Sequence, residues 1–374
     1  MSDVVIAGGG LIGLSVAWRC AQRGMAVTVV DEAPGCGASR AAAGMLAPVT
    51  EAAYGEEALL RLCLASLQRY PDFVAELRAA AGSELALRSA GTLLVGFDDD
   101  DMRALDELHR FQRELGLDAE RLTGRETRCR EPSLTPRVRG ALLVPGDHSV
   151  DPRALHAALL SAVERLGVRV ARARVAGVRI VQGAAAGVEL AGGDVLPAGV
   201  VVLALGAVSG RLPGAPDLPV RPVKGQILRL AGAADLLSGT VRALVRGRHV
   251  YLVPYGPDRL VIGATVEDRG FDPTVTAGGV HDLLHDAIEV VPDVGELELV
   301  ETLARWRPGT PDNAPILGCS GVPRLVLATG HYRNGVLLSP ITADVIAELL
   351  DSGQLPVLAA PFTLDRFGEE QAWR

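Results

Sequence analysis

The chain has 374 residues, 48% of them hydrophobic, so it can bury a sizeable core, and its length suggests two domains or one with a large insertion. Its formal charge of -8 is spread along the chain and the basic residues form no cluster interleaved with aromatics, so nucleic acid is not an expected partner. The five cysteines, Cys20, Cys36, Cys63, Cys129 and Cys319, show no CxxC pair and no metal-ligand spacing, as expected of a chain kept in a reducing cytoplasm with no metal site.

The N-terminus enters an apolar run by Val4 without a basic leader, and glycines interrupt that run far short of the roughly twenty apolar residues of a membrane span. Neither a signal peptide nor a membrane segment is expected. Val4 to Ala7 reads as a buried parallel strand, and GGGLIG follows it, placing Gly8, Gly10 and Gly13 at the glycine positions of GxGxxG. A helix opens there, with the small residue Ala17 one turn beyond Gly13, and Gly24 ends it. Val27 to Val30 forms a second strand, which Asp31 closes. Such glycines let the backbone approach a pyrophosphate at a helix N-terminus, and a carboxylate at that strand end can accept hydrogen bonds from ribose hydroxyls. An ordinary βαβ unit explains the apolar pattern but not the spaced glycines together with Asp31. Dinucleotide binding follows, with FAD and NAD both open.

GASRAAAGMLAP (37 to 48) is a run of small residues around Ser39 and Arg40, suited to a loop whose backbone lies against something bulky. Helical periodicity spans 56 to 77 and 99 to 115, the latter opening on FDDDD, whose acids favour a helix N-terminus. Asp151 and Pro152 give an N-cap with proline at N1 for a helix running to Gly167. Strand-like segments follow at 168 to 181 and 186 to 190, then VVVLALG ends at Gly206 and returns the chain to the nucleotide-binding part.

Residues 220 to 307 change character to an antiparallel sheet, with YGPD joining HVYLVP and RLVIGATV as a hairpin. A period of two puts His249, Tyr251 and Val253 on one face, and puts Arg305 and Arg307 together on a face opposite Trp306. Two arginines on a sheet face call for an anion. His281 and His285 stand at i, i+4 on a helix, but Asp282, Asp286 and Glu289 make that face a solvated one. GHYRNG (330 to 335) lies between the core strand 325 to 328 and a helix with Ser339 as N-cap and Pro340 at N1, a ligand-facing position in an α/β sheet.

GGGLIG with Asp31, SRAAAGML, EP (131 to 132), VDP (150 to 152), VKGQ, VYLVP, GATVE, RPGTPDNAPILG and GHYRNGVLLSP together resemble the D-amino-acid oxidase superfamily of flavoproteins, and within it the glycine oxidases of thiamine biosynthesis. The resemblance runs in order along nearly the whole chain, and GHxRNG with RPGTPD narrows it beyond a generic flavin fold. It implies an α/β (α+β) fold, with a Rossmann-like FAD-binding domain (1–87, 146–219 and 308–374) and a discontinuous antiparallel-sheet substrate domain (88–145 and 220–307).

The cofactor so implied is FAD. Leu11 and Ile12 would lie at the pyrophosphate, Asp31 and Glu32 at the adenosine ribose, and Ser39, Ala43, Gly44 and Met45 along the cofactor. Val175 would sit near adenine, with Gly206 also in contact, and His331, Tyr332, Arg333, Asn334, Gly335, Val336 and Leu337 would wrap the flavin ring. Attachment would be non-covalent, because covalent flavin in related sarcosine oxidases needs a cysteine near 305 to 315 and Cys319 falls beyond it.

For the substrate, the resemblance makes Arg307 a carboxylate clamp, Tyr251 a hydroxyl donor to the same group, Arg333 a nearby positive charge and His249 part of the pocket wall. The reaction implied is oxidation of glycine by molecular oxygen to its imine and then glyoxylate, ammonia and hydrogen peroxide, in a cytoplasmic homotetramer. Arg305 departs from the family pattern, in which a small residue often stands two places before the clamp. A D-amino-acid or sarcosine oxidase of broader scope is the neighbouring reading, and a non-catalytic FAD-binding subunit is the reading from another class.

Overall fold

The computed structural model describes residues 2–245 and 247–368. The β-branched run at the N-terminus forms the strand Ser2–Ala7, which pairs in parallel with Val27–Val30 on one side and Val195–Leu203 on the other. Helix Leu11–Gln22 makes the crossover. Arg169–Ala171 extends the parallel sheet beside Val27–Val30, and Leu325–Thr329 pairs in parallel with the C-terminal end of Val195–Leu203. The strand-like stretch 168 to 181 holds two strands. After Ala171 the chain leaves the parallel sheet and re-enters at Val175–Val181 as the first strand of an antiparallel meander with Ala184–Leu190 and Val195–Leu203.

Helices cover one face of this sheet. Leu11–Gln22, Glu57–Ala81, Pro152–Arg165 and Ser339–Ser352 bury one apolar cluster against it, with Trp18, Tyr70 and Phe73 in edge-to-face contact at the centre. Asp151 caps the third of these as expected, its carboxylate accepting from the Arg153 and Ala154 amides, but the helix ends at Arg165 rather than Gly167. Asp98 caps the helix Asp99–Glu114 in a reciprocal box with Asp101, which is what the acidic run is for.

A second eight-stranded sheet has the order Glu298–Gly309, Arg221–Ala231, Arg259–Gly263, Arg248–Tyr255, Thr240–Val245, Thr92–Gly96, Gly140–Val144, Glu120–Thr123. Its pairs are antiparallel except Thr240–Val245 with Thr92–Gly96, which run parallel. Alternation gives it two different faces. Val250, Leu252, Leu228 and Ile262 pack under helix Ala277–Val290, whereas Tyr251, Val253, Ile227 and Val261 meet Ala43 and Met45 from the loop of small residues. A three-stranded sheet of Met45–Leu46, His148–Val150 and Leu87–Arg88 completes the architecture. Among the described residues no helix is long and apolar enough to cross a membrane.

Candidate cofactor and substrate site

The nucleotide end is built by close backbone approach. Gly8 has φ +111°, and a Cβ there would fall 2.3 Å from the Ala204 carbonyl oxygen, while a Cβ on Gly13 would fall 1.9 Å from that of Gly8. Both glycines are therefore demanded by the strand-to-helix turn, which leaves Gly10 facing outward with only Ser39 Oγ at 3.3 Å. Ser39 Oγ accepts from the Leu11 amide at 3.1 Å. The amides of Gly10, Ile12 and Gly13 find no acceptor among the described residues, and they sit at the positive end of the helix.

Asp31 accepts from the Gly9 amide at 2.7 Å and the Ala33 amide at 2.8 Å, which orients the carboxylate and leaves it further lone pairs for hydroxyl donors. Glu32 beside it is exposed. His156, a residue that no sequence motif marks, holds the turn from behind with Nε2 2.8 Å from the Gly9 carbonyl. Val175 lies just past the strand Arg169–Ala171, whose last carbonyl accepts from the Asp31 amide at 3.1 Å. Gly206, at φ +59°, is tied by its carbonyl to Thr329 Oγ1 at 3.1 Å, immediately before GHYRNG.

That segment is irregular from Gly330 to Leu338. Tyr332 is held at φ +45°, uncommon for an aromatic residue, with its amide donating to Pro308 O at 2.9 Å. The carbonyls of Val336 and Leu337 are pinned from behind by Tyr70 OH at 2.5 Å and Ser66 Oγ at 2.6 Å. Their amides, and that of Gly335, find no acceptor among the described residues. Two sets of unpaired amides at helix starts, joined by a loop of small side chains, suit a diphosphate at one end and an anionic ring edge at the other. The residues present therefore fit FAD. Ser339 is not the N-cap expected of it; Leu338 holds that position, and the Ser339 hydroxyl donates to Val336 O at 2.9 Å, bracing the same loop. His331 is buried, with Nε2 3.0 Å from Thr342 Oγ1, and burial pulls its pKa down to about 3. The positive potential here comes from the helix terminus, not from an imidazolium.

The substrate face depends on two further glycines. Arg307 and Tyr251 stand on strands flanking Arg221–Ala231 and Arg259–Gly263, and those two inner strands carry Gly225 and Gly263 on the same face. A Cβ on Gly225 would lie 2.3 Å from Arg307 Nη1, and one on Gly263 would lie 2.3 Å from the Tyr251 hydroxyl. The guanidinium and the phenol thus lie flat across the sheet toward each other. Burial raises the Tyr251 pKa, opposed by the Arg307 charge beside it, so the hydroxyl remains a donor. Arg307 Nη1 donates to Thr265 O at 3.1 Å, and among the described residues Arg307 has no carboxylate partner.

The other charges nearby are compensated. Glu51 lies between Arg242 at 2.9 Å and Arg333 at 3.7 Å. His249 joins this group: burial lowers its pKa, and Arg242 and Arg333 lower it further. Behind Glu51, Asp147 accepts from Thr50 Oγ1 at 2.8 Å, and burial pushes its carboxyl up to about 7. Arg305 shares a face with Arg307 but turns away, its Nε donating to Cys36 O at 2.7 Å. Glu51 and Arg242 were missed by sequence reasoning because no local motif carries them, and Gly225, Gly263 and Thr265, though they lie in VKGQ and GATVE, were given no role because what each faces is set by strand register. His281 is exposed and stacks on His285, whose neighbour Asp286 already binds Arg248, and among the described residues no metal-binding group is present.

Residues 3–349 match the family described as DAO, FAD dependent oxidoreductase. Over 370 residues the chain is 35% identical to the glycine oxidase of Geobacillus kaustophilus (strain HTA426), covering 97% of both. It is 36% identical over 369 residues to the bifunctional protein ThiO/ThiG of Trichormus variabilis, covering 98% of this chain and 55% of that one, so the chain spans about half the length of this two-function relative. The crystal structure of the Geobacillus kaustophilus glycine oxidase superposes with a TM-score of 0.90 at 35% identity, over 97% of this chain and 98% of that one. From the glycine turn at Gly8 to the braced loop before Ser339, the chain belongs to the DAO family of FAD-dependent oxidoreductases.

Proposed function

We propose that the chain is a glycine oxidase, converting glycine through its imine to glyoxylate, ammonia and hydrogen peroxide and supplying thiamine biosynthesis. The observation that carries this reading is Arg307, a guanidinium with no carboxylate partner among the described residues, lying beside the Tyr251 phenol while the nearby Arg242 and Arg333 share Glu51. Its planar fork suits a small carboxylate, and the Tyr251 hydroxyl adds a donor to the same group. The chemistry supplied by bound FAD is acceptance of a hydride from the substrate Cα and its passage to oxygen. When glycine is bound as the neutral amine, no side chain needs to act as base. His249, kept neutral, adds no further charge.

We infer that Leu11 and Ile12 lie at the pyrophosphate, Asp31 and Glu32 at the ribose, Ser39, Ala43, Gly44 and Met45 along the cofactor and Val175 near adenine, with Gly206 also in contact, and that residues 331–337 line the ring. Residues 88–145 and 220–307, which contribute the strands of the second sheet, form the substrate half. Attachment is non-covalent, since no cysteine lies between 305 and 315 and Cys319 falls beyond that stretch. A cytoplasmic homotetramer completes the proposal.

The test is Arg307→Ala. Loss of the fork should lower kcat/KM for glycine by roughly thirtyfold to several thousandfold, about 2 to 5 kcal/mol, with FAD content unchanged. Retention within about threefold would place the anchor elsewhere. Peroxide release with glycine, sarcosine and D-alanine separates the narrow from the broader oxidase, and anaerobic bleaching of the flavin band by glycine excludes a non-catalytic subunit.

A further inference from the structure

Lys224 is the one lysine among 37 basic residues, and its side chain is fully buried on the face of the sheet opposite Arg307. Its ammonium lies 2.8 Å from Asp272 and 3.3 Å from Glu267, both carried by the segment that follows the strand Arg259–Gly263. The same segment is stitched to the strand edge by paired backbone bonds between Lys224 and Glu267, at 3.0 and 2.9 Å. Glu267 in turn accepts from Thr265 Oγ1 at 2.5 Å and from Gln226 Nε2 at 2.7 Å, and Thr265 Oγ1 accepts from the Gln226 amide at 2.8 Å. The Thr265 hydroxyl is therefore held by two hydrogen bonds, and the Thr265 carbonyl is the group to which Arg307 Nη1 donates at 3.1 Å.

We propose that Lys224, through Glu267, Asp272 and Thr265, is a positioning residue that sets the direction of the Arg307 guanidinium and hence its hold on the substrate carboxylate. The inference rests on the reading of Arg307 as carboxylate anchor. One ammonium between two carboxylates draws the segment onto the sheet; without it the carboxylates repel each other and the Thr265 carbonyl is free to move. A guanidinium whose Nη1 acceptor has shifted no longer presents its fork at one angle. Because the effect falls on binding of the carboxylate rather than on hydride departure, it belongs in KM and not in kcat.

The experiment uses the holoenzyme. Peroxide release gives kcat and KM for glycine, and anaerobic titration with acetate, followed by the flavin absorbance, gives Kd for a bare carboxylate. Lys224→Met should raise both KM and the acetate Kd by about tenfold or more with kcat within about threefold, and Lys224→Arg should recover part of the loss. In an Arg307→Ala background Lys224→Met should change neither by more than about twofold, because the effect passes through a side chain already removed. Asp272→Asn, a milder break in the same clasp, should move KM and the acetate Kd in the same direction if Lys224→Met yields no folded protein. Unchanged acetate affinity in these variants, or additive losses in the double variant, overturns the proposal. A silent Arg307→Ala removes the anchor reading and the proposal together, whereas a damaging Arg307→Ala with a silent Lys224→Met removes only the proposal.

Discussion

Arg307 illustrates how a side chain is placed by what its neighbours lack. Its guanidinium rests over Gly225, where a methyl group would overlap Nη1, Cζ and Nη2 at 2.3 to 2.6 Å. Gly225 has ordinary strand geometry, so its value lies in space and not in backbone freedom. Gly225→Ala should therefore leave the sheet folded and push the fork off its position. A displacement of about 1 Å can cost on the order of a hundredfold, and kcat/KM for glycine should fall on that scale with FAD content and thermal stability little changed. A Gly225→Ala enzyme with parental kcat/KM would show that the guanidinium has room to act from elsewhere.

At the scale of one element, the strand Leu325–Thr329, the loop to Leu338 and the helix Ser339–Ser352 form a unit whose polar groups are tied from outside by Ser66 and Tyr70 and from within by Thr342. Burying His331 in it has a consequence for pH. Its folded pKa, about 3, lies below the value of about 6.5 for an exposed histidine. The unfolded chain thus binds the proton first, and stability is full above that unfolded value and lost as pH falls toward the folded one. His331→Gln, which keeps a hydrogen-bonding group near Thr342 without a titrating ring, should reduce the stability lost between about pH 7 and about pH 5 by about 2 kcal/mol. Denaturant midpoints of the holo protein at the two pH values measure this. An equal acid loss in parent and variant would mean that the ring is already solvated in the native state.

Across the whole molecule, one face of the second sheet, through Ile227, Val253, Tyr255 and Val261, packs on Ala43 of the loop of small residues, and Arg307 and Tyr251 stand on that same face. FAD held without a covalent bond, as proposed, should leave the protein when the fold is lost. Acid precipitation should release all of the flavin into the supernatant as FAD, and flavin retained in the pellet would reveal a covalent bond. Asp31→Ala removes an acceptor at the nucleotide end and should weaken FAD retention by about 1 to 3 kcal/mol. Since a ligand bound only to the folded state stabilises it by mass action, the same variant should show a smaller gain in melting temperature on adding FAD.

What could be read without the structure was everything whose cause is local. Gly8, Gly13 and Asp31 announce a turn against a phosphate because their spacing and the strand end lie within one βαβ unit, although the atom that Gly8 must clear, the Ala204 carbonyl, comes from another strand end. Asp98 and Asp151 announce helix starts because a cap reaches only two or three residues. A period of two put His249 with Tyr251, and Arg305 with Arg307, on common faces. Local pattern failed in two ways: Ser339 looked like a cap, but its hydroxyl turns back to Val336 three residues before it, and Arg305 looked like a second anion ligand until it was found on the distant Cys36. The meeting of Glu51 with Arg242 and Arg333, of Arg307 with Gly225 and Thr265, and the neutrality of His331 were decided by the tertiary structure alone. Strand register and burial are properties of the packed chain, set by which apolar faces close on each other, and no window of sequence contains both sides of that contact.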